Sequence, residues 1–304
     1  VVVLGPTGAG KSELGLLLAR KFAGEIVSCD SIQVYRGLDI GSAKVSADRR
    51  QGIAHHLIDI VDANQYLTAG AYSRLAREAV SAVQRKGSLP IVVGGTGLYL
   101  RALLEGLSPA PPRDEKIRAR LARTFARCPA ALHRFLRRRD PPAAARIHPN
   151  DRQKLIRAVE LILLERQPVT STLTVPRDSL RGVRVLKLGL APSRSLLYQH
   201  LDQRSEWMFA NGLLAETQAL LDSGISPHAK PLQSLGYKQA VNVLTQQLPL
   251  AGAIHECQIK TRQYAKRQMT WFRREPDVHW LENFGKNQSA QSEALLLVEK
   301  FLAA

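Results

Sequence analysis

With 304 residues, 45% of them apolar and 23% charged, the chain has the balance of an ordinary globular protein, enough for one large domain or for one carrying a smaller one. Charge departs from the average: 43 Lys and Arg against 26 Asp and Glu leave a formal +17, a field that concentrates polyanions. The three widely spaced cysteines, Cys29, Cys128 and Cys257, exclude a disulfide framework and a zinc-ligand pattern, and no apolar run approaches a membrane span, so a cytoplasmic protein without a membrane partner is expected.

The apolar run at residues 1–4 reads as a strand, so a preceding stretch of chain is expected. A glycine-rich turn and a helix over 11–22 follow. Residues 26–29 form a second strand ending on Asp30, and residues 56–61 a third. A helix over 69–86 leads to a strand at 89–93 and the turn Gly94-Gly95-Thr96-Gly97. Short apolar strands separated by helices predict an α/β core with a parallel sheet covered on both faces. The proline cluster at 108–112, including Pro109, stops the preceding helix. Helices are then predicted at 115–127, 129–139, 141–147 and 151–165. Strand character returns at 183–190, and a last strand is predicted at 278–281. The organisation expected is a core of residues 1–109 and 185–304 with an all-helical insertion at 110–184. That insertion holds 18 Lys and Arg against 7 Asp and Glu, net +11, while the longer remainder carries only +6. A solvated helical face does not require this asymmetry, whereas a nucleic-acid docking surface does. The insertion's only aromatic rings are Phe125 and Phe135, which favours phosphate contact over base stacking.

Gly5-Pro6-Thr7-Gly8-Ala9-Gly10-Lys11-Ser12 matches GxxxxGK[ST] between a strand and a helix. Its glycines let backbone N–H groups converge on phosphate oxygens, Lys11 adds a cation, and the Ser12 hydroxyl is a ligand for Mg²⁺. A nucleotide hydrolase would end another apolar strand in a carboxylate that orients the metal shell. Here residues 91–93 run into Gly94-Gly95-Thr96, and the strand-end acid is Asp30. Diphosphate binding for a group transfer fits this arrangement, and useful ATP turnover is not expected.

Several segments in order resemble the tRNA dimethylallyltransferases: the loop at 5–12, Asp30-Ser31-Ile32-Gln33-Val34-Tyr35, the run 38–44, Gly94-Gly95-Thr96-Gly97-Leu98-Tyr99, His148-Pro149-Asn150-Asp151, Gln153-Lys154-Leu155-Ile156-Arg157, Leu235-Gly236-Tyr237-Lys238, and the run 261–273. The resemblance covers nearly the whole chain. It departs at Ser42, where the family usually has Thr, and at His200, where it often has Arg, leaving Arg204 alone for that phosphate contact. It implies a core similar to P-loop kinases and a helical insertion that holds the tRNA anticodon stem-loop. It also implies a channel entered by dimethylallyl diphosphate at one end and a flipped-out adenine at the other. The reaction implied is dimethylallyl transfer to N6 of the adenosine 3′ to the anticodon, with Mg²⁺, by a monomer.

The resemblance further implies roles for individual residues. Asp30 would accept an N6 hydrogen, and Lys11, Thr96 and Arg204 would complete the diphosphate site. By sequence alone Thr96 suits turn formation as well, and Arg204 a surface ion pair. Asp30, Ser31, Ile32, Gln33 and Thr96 would meet the target nucleotide, and Arg118 and Gln153, Lys154, Leu155, Ile156 and Arg157 the tRNA. Further tRNA contacts would come from Gln233, Ser234, Leu235, Gly236, Tyr237 and Lys238, and from Lys266, Arg267, Gln268, Met269, Thr270, Trp271, Phe272 and Arg273. A small-metabolite P-loop kinase, an adenylate isopentenyltransferase acting on free nucleotide and a non-enzymatic RNA-binding module stand as alternatives. The first two have no use for the basic insertion, and the third none for the phosphate loop.

Overall fold

Alternate residues of the apolar runs go to opposite sides of one sheet. Val2, Leu4, Val27 and Val92 belong to one buried cluster, and Val1, Val3, Ile26, Ile91 and Val93 to another. The structure is a computed structural model that describes residues 1–108, 110–173 and 177–304. Its strands are β1 (Val2–Leu4), β2 (Gly24–Ser28), β3 (His55–His56), β4 (Leu89–Gly94), β5 (Lys187–Leu190) and β6 (Val278–Leu281). They pair all-parallel in the order β3-β2-β4-β1-β5-β6. Successive strands therefore need crossovers, which helices supply except between β2 and β3, where the connection is a loop with a short 3-10 turn at Asp48–Arg50. Helices α1 (Lys11–Lys21), α2 (Ala69–Arg85) and α3 (Gly97–Leu104) follow β1, β3 and β4. Helix α2 starts at Thr68, whose side chain accepts the Ala71 N–H, and buries Tyr72, Ala76, Val80 and Val83 at helical spacing.

The chain divides into two units. One comprises Val1–Leu104 and Leu180–Ala304, the other Glu105–Ser179. The composition change predicts limits at 110 and 184; the division falls at 105 and 179 because the Leu180 N–H donates to the Leu104 carbonyl at 2.8 Å, returning the chain to the core there. Pro109 of the proline cluster and residues 174–176 of the insertion lie outside the described residues.

The second unit contains α4 (Glu115–Arg127), α5 (Pro129–Arg139), α6 (Pro141–Arg146), α7 (Arg152–Glu165) and α8 (Val169–Leu173). Asp114, Asp140 and Asp151 cap α4, α6 and α7, each accepting a first-turn N–H. Its own core gathers Leu121, Leu132, Leu136, Leu155, Ile156, Val159 and Ile162. After β5 come α9 (Arg194–Ala210), α10 (Leu213–Asp222), α11 (Tyr237–Leu244) and α12 (Leu250–Phe272), and α13 (Gln288–Ala303) follows β6.

The third predicted strand is corrected. Only His55–His56 pair with β2, because Leu57 (φ +62°) and Asp59 (φ +56°) are left-handed and break the extended run. The chain then turns onto the segment after β2, where Asp59 N–H donates to Gln33 O and Ile60 and Val61 N–H to Val34 O.

Candidate functional site

Strand β1 lies between β4 and β5: after β1 the chain crosses to β2 on the β4 side, and after β4 it crosses back past β1 to β5, so the winding direction reverses there. Ligands of open α/β sheets bind outside the carboxyl ends of strands at such a reversal. The loop 5–12 leaves β1 there, Asp30 follows β2, and Thr96 follows β4.

Gly5, Pro6 and Ala9 form the buried back of the phosphate loop, while Thr7, Gly8, Gly10, Lys11 and Ser12 line a cavity of about 250 Å³. Gly10 precedes α1 with φ +85°, a conformation that favours glycine, and no side chain caps the helix. The first-turn N–H groups and the positive helix end thus remain for an anion. The Lys11 ammonium donates to Pro6 O at 2.7 Å. Burial pushes Lys11 down to about 8, Asp30 opposing and Arg204 reinforcing the shift. Arg204, on α9, donates to the Thr7 hydroxyl at 3.2 Å, and its guanidinium is likewise shifted down by burial. Glu13, Ser28, Asp30, Gln33, Ser42, Lys44, Arg49, His200 and Lys286 are among the other polar residues of its wall.

Asp30 is held by the turn it starts: Oδ1 accepts the N–H of Ile32 at 2.8 Å and of Gln33 at 3.3 Å. The Thr96 hydroxyl accepts the Ser31 N–H at 3.0 Å, which fixes that turn against the end of β4. The Gln33 amide reaches Ser42 O at 3.2 Å.

A second cavity, about 400 Å³, shares Thr7, Asp30, Ser42 and Arg204 with the first. Helices α9 and α12 wall it at helical spacing, the first with Leu201, Arg204, Ser205 and Met208, the second with Cys257, Thr261, Tyr264 and Arg267. Ser31, Ile32, Gln33's neighbour in the turn, and Gln233, Ser234, Leu235 and Gly236 close the remaining sides. The structure therefore brings together around these two spaces most of the phosphate loop, the 30–33 turn, Arg204, the 233–236 segment and Arg267.

Other expected contacts stand elsewhere. Leu155 and Ile156 (0% and 5% exposed) belong to the core of the helical unit, so their side chains are corrected from tRNA contacts to packing. Arg118 and Arg157 both pair with Glu160, at 3.0 and 2.9 Å, and Glu160 is fully buried. The Asp114 N–H donates to the same carboxylate at 2.8 Å. A carboxylate in that position needs its cations, so the two arginines first serve the fold. Gln153 and Lys154 are exposed on the first turn of α7.

In the core unit Phe272 and Tyr237 are buried, and Gln268 is a clip: it accepts the Thr7 N–H at 2.8 Å and donates to Gly95 O at 2.7 Å. Trp271 packs on Gly97, where a Cβ would collide with its indole, and lies under the Arg101 guanidinium at 4.5 Å. Met269 is half-buried; Lys238, Lys266, Thr270 and Arg273 are exposed.

Sequence reasoning missed Glu216. From α10 it accepts the N–H groups of Asp39, Ile40 and Gly41 and the Tyr237 hydroxyl. It thereby sets the loop whose Ser42 lies on both cavities. No motif marks it, since its backbone partners lie 175 to 177 positions away in the chain.

The description "IPP transferase" belongs to the family model that matches residues 33–275. The tRNA dimethylallyltransferase of Solibacter usitatus is 53% identical over 99% of this chain and 98% of its own, and that of Koribacter versatilis 50% over 98% and 97%. Among solved structures, the tRNA isopentenylpyrophosphate transferase of Bacillus halodurans superposes with a TM-score of 0.71 at 34% identity, covering 99% of this chain and 94% of the other. A eukaryotic dimethylallyltransferase acting on tRNA gives 0.84 at 28%, covering 99% and 79%. Matched by the family model over most of its length and by these relatives nearly end to end, the chain belongs to the IPP transferase family and is a tRNA-modifying prenyltransferase.

Proposed function

We propose that the first cavity binds the diphosphate of dimethylallyl diphosphate and the second admits an adenine of tRNA, the adenosine 3′ to the anticodon, so that the two meet at Asp30. The observation that carries this reading is the shared wall: Thr7, Asp30, Ser42 and Arg204 line both spaces. An exocyclic adenine amine is a weak nucleophile. A carboxylate that accepts an N6 proton as the new N–C bond forms at the allylic carbon strengthens it. The allylic C–O bond breaks with its electron pair going to diphosphate, whose growing charge faces Lys11, Arg204 and the N–H groups of α1.

Ser12 and Asp30 line the diphosphate cavity, but no cluster of three or more His, Cys, Asp or Glu gathers among the described residues. This sparse oxygen set fits Mg²⁺ held mainly by diphosphate oxygens and water, with Ser12 as the protein ligand. When bound, the ion would neutralise part of the leaving group's charge. The helical unit, with its excess of Lys and Arg, is assigned to the anticodon stem-loop. Free-nucleotide prenylation and small-molecule phosphorylation are not favoured by these relatives, which are named for tRNA.

The test is a single-turnover reaction of tRNA with dimethylallyl diphosphate and Mg²⁺, read by nucleoside mass. One added five-carbon group on an adenosine is expected from the wild type. Asp30→Asn keeps the oxygen that holds the turn but loses the base, and should slow transfer by about 10²–10⁴-fold with tRNA affinity retained. An unchanged rate would remove Asp30 from the chemistry, and modification of free adenylate but not tRNA would replace the substrate.

A further inference from the structure

The loop between β6 and α13 is joined to the phosphate loop by backbone rather than by chance proximity of side chains. Gly285 N–H donates to Ala9 O at 2.9 Å, and a Cβ placed on Gly10 would lie 2.8 Å from the Gly285 nitrogen. On its other side the loop is tied to α13. Asn287 N–H donates to Phe284 O, the Asn287 side chain caps the helix by accepting the Ser289 N–H at 2.9 Å, and Gln291 reaches Gly285 O at 3.1 Å. Lys286 stands between these two fixed residues, and its side chain lines the phosphate-loop cavity together with Lys11, His200 and Arg204.

The other cations of that cavity differ in how far they are committed. Lys44 already binds Asp39 and Asp59, each at 2.6 Å, and Arg204 holds Thr7. Among the described residues Arg49 and Lys286 form no ion pair and both are exposed, and of these two Lys286 is the one next to the residue bonded to the phosphate loop. The carboxylates on the cavity are Asp30 and Glu13. His200, edge-on to Phe284 at 5.7 Å, is shifted down by burial and then by the positive charges of Arg204 and Lys286, so the region between them is electropositive. Nothing in the sequence marks this lysine: it lies 275 positions after Lys11 and in no motif.

We propose that Lys286 is a further diphosphate-binding residue, carried onto the outer side of the phosphate loop by the β6–α13 loop and reaching the phosphate that points toward the mouth. The inference rests on the reading of this cavity as the diphosphate site. Four proteins decide it: wild type, Lys11→Ala, Lys286→Ala and Lys286→Arg, each titrated calorimetrically with inorganic diphosphate and Mg²⁺, and each titrated with tRNA at several salt concentrations. Loss of one charge-assisted contact should weaken diphosphate binding by about tenfold in Lys286→Ala. Lys286→Arg should restore most of it, and tRNA affinity and its salt dependence should not move. Wild-type diphosphate affinity in Lys286→Ala, with Lys11→Ala weakened, would overturn the inference and leave the cavity's reading intact. A salt slope for tRNA lowered by about one unit, with diphosphate binding unchanged, would give the lysine to the RNA instead and equally overturn it. A wild type that binds no diphosphate would overturn both.

Discussion

At the scale of single residues, the phosphate loop places a lysine where its charge is costly until an anion arrives. Lys11 is shifted down to about 8 chiefly by burial. Below that pH the free protein holds an ammonium ready for diphosphate; above it the amine must take up a proton to bind well. Diphosphate affinity should therefore fall as pH rises through about 8, by up to tenfold per pH unit, and Lys11→Arg should flatten the profile because a guanidinium stays charged. Calorimetric titration across that range checks this, and a wild-type profile without an inflection near pH 8 would contradict it. Residues of this kind were legible in the sequence because loop, spacing and neighbouring strand are all local. Gln268 was legible only as part of a family run, and its hydrogen bonds give it a different task. Its partners Thr7 and Gly95 lie 261 and 173 positions away, and no local pattern reports such a meeting.

Among the elements, helix boundaries followed the sequence closely because caps and prolines are local signals. The helix at 115–127 and the strand at 278–281 lie where patterning puts them. The strand predicted over 56–61 failed because alternating polarity does not reveal left-handed residues at Leu57 and Asp59. Helix α4 shows what charge counting alone misses. Ile117, Leu121 and Phe125 face the core of its unit, and Arg118 is drawn inward to Glu160. Lys116, Arg120, Arg123 and Arg127 recur at helical spacing and are all exposed, forming one basic stripe about 16 Å long at 1.5 Å per residue. This stripe, rather than Arg118 or Arg157, is where phosphate contact is expected. Arg120→Ala and Arg123→Ala should each lower the log–log salt slope of tRNA binding by about one unit per lost contact without destabilising the protein. Arg118→Ala should instead destabilise the helical unit by on the order of 1–3 kcal/mol, because Glu160 stays buried with one cation fewer. Salt titrations paired with urea unfolding separate the two. Unchanged slopes in both stripe variants would show that α4 does not touch the tRNA backbone.

Across the whole molecule, distant parts of the core unit are stitched together around the cavities. Gln268 ties α12 to the phosphate loop, Gly285 ties the β6–α13 loop to Ala9, and Glu216 ties α10 to residues 39–41. Glu216→Ala leaves the Asp39 and Ile40 N–H groups and a buried tyrosine hydroxyl without their acceptor, while the Gly41 N–H keeps the Tyr237 oxygen at 3.2 Å. A loss of on the order of 3 kcal/mol in urea unfolding is expected, with a raised KM for tRNA, since the loop it holds borders the second cavity. Stability within 0.5 kcal/mol of wild type, about the range of an ordinary surface substitution, would show the loop to be held by other means. The parallel α/β class was legible from short apolar runs, but strand order was not: pairing is set by which faces can be covered, and β1 finds its neighbours far along the chain. Its three residues pair with β4 near position 93 and with β5 near position 188. That spacing has a consequence for synthesis. As the chain emerges from the ribosome, β1 can acquire one neighbour early but keeps an open edge until the entire helical excursion has been made. The excursion, rich in local contacts, is equipped to fold during that wait. Of the six described strands, the one carrying the phosphate loop is thus made before the other five, yet its second edge stays open until β5 arrives.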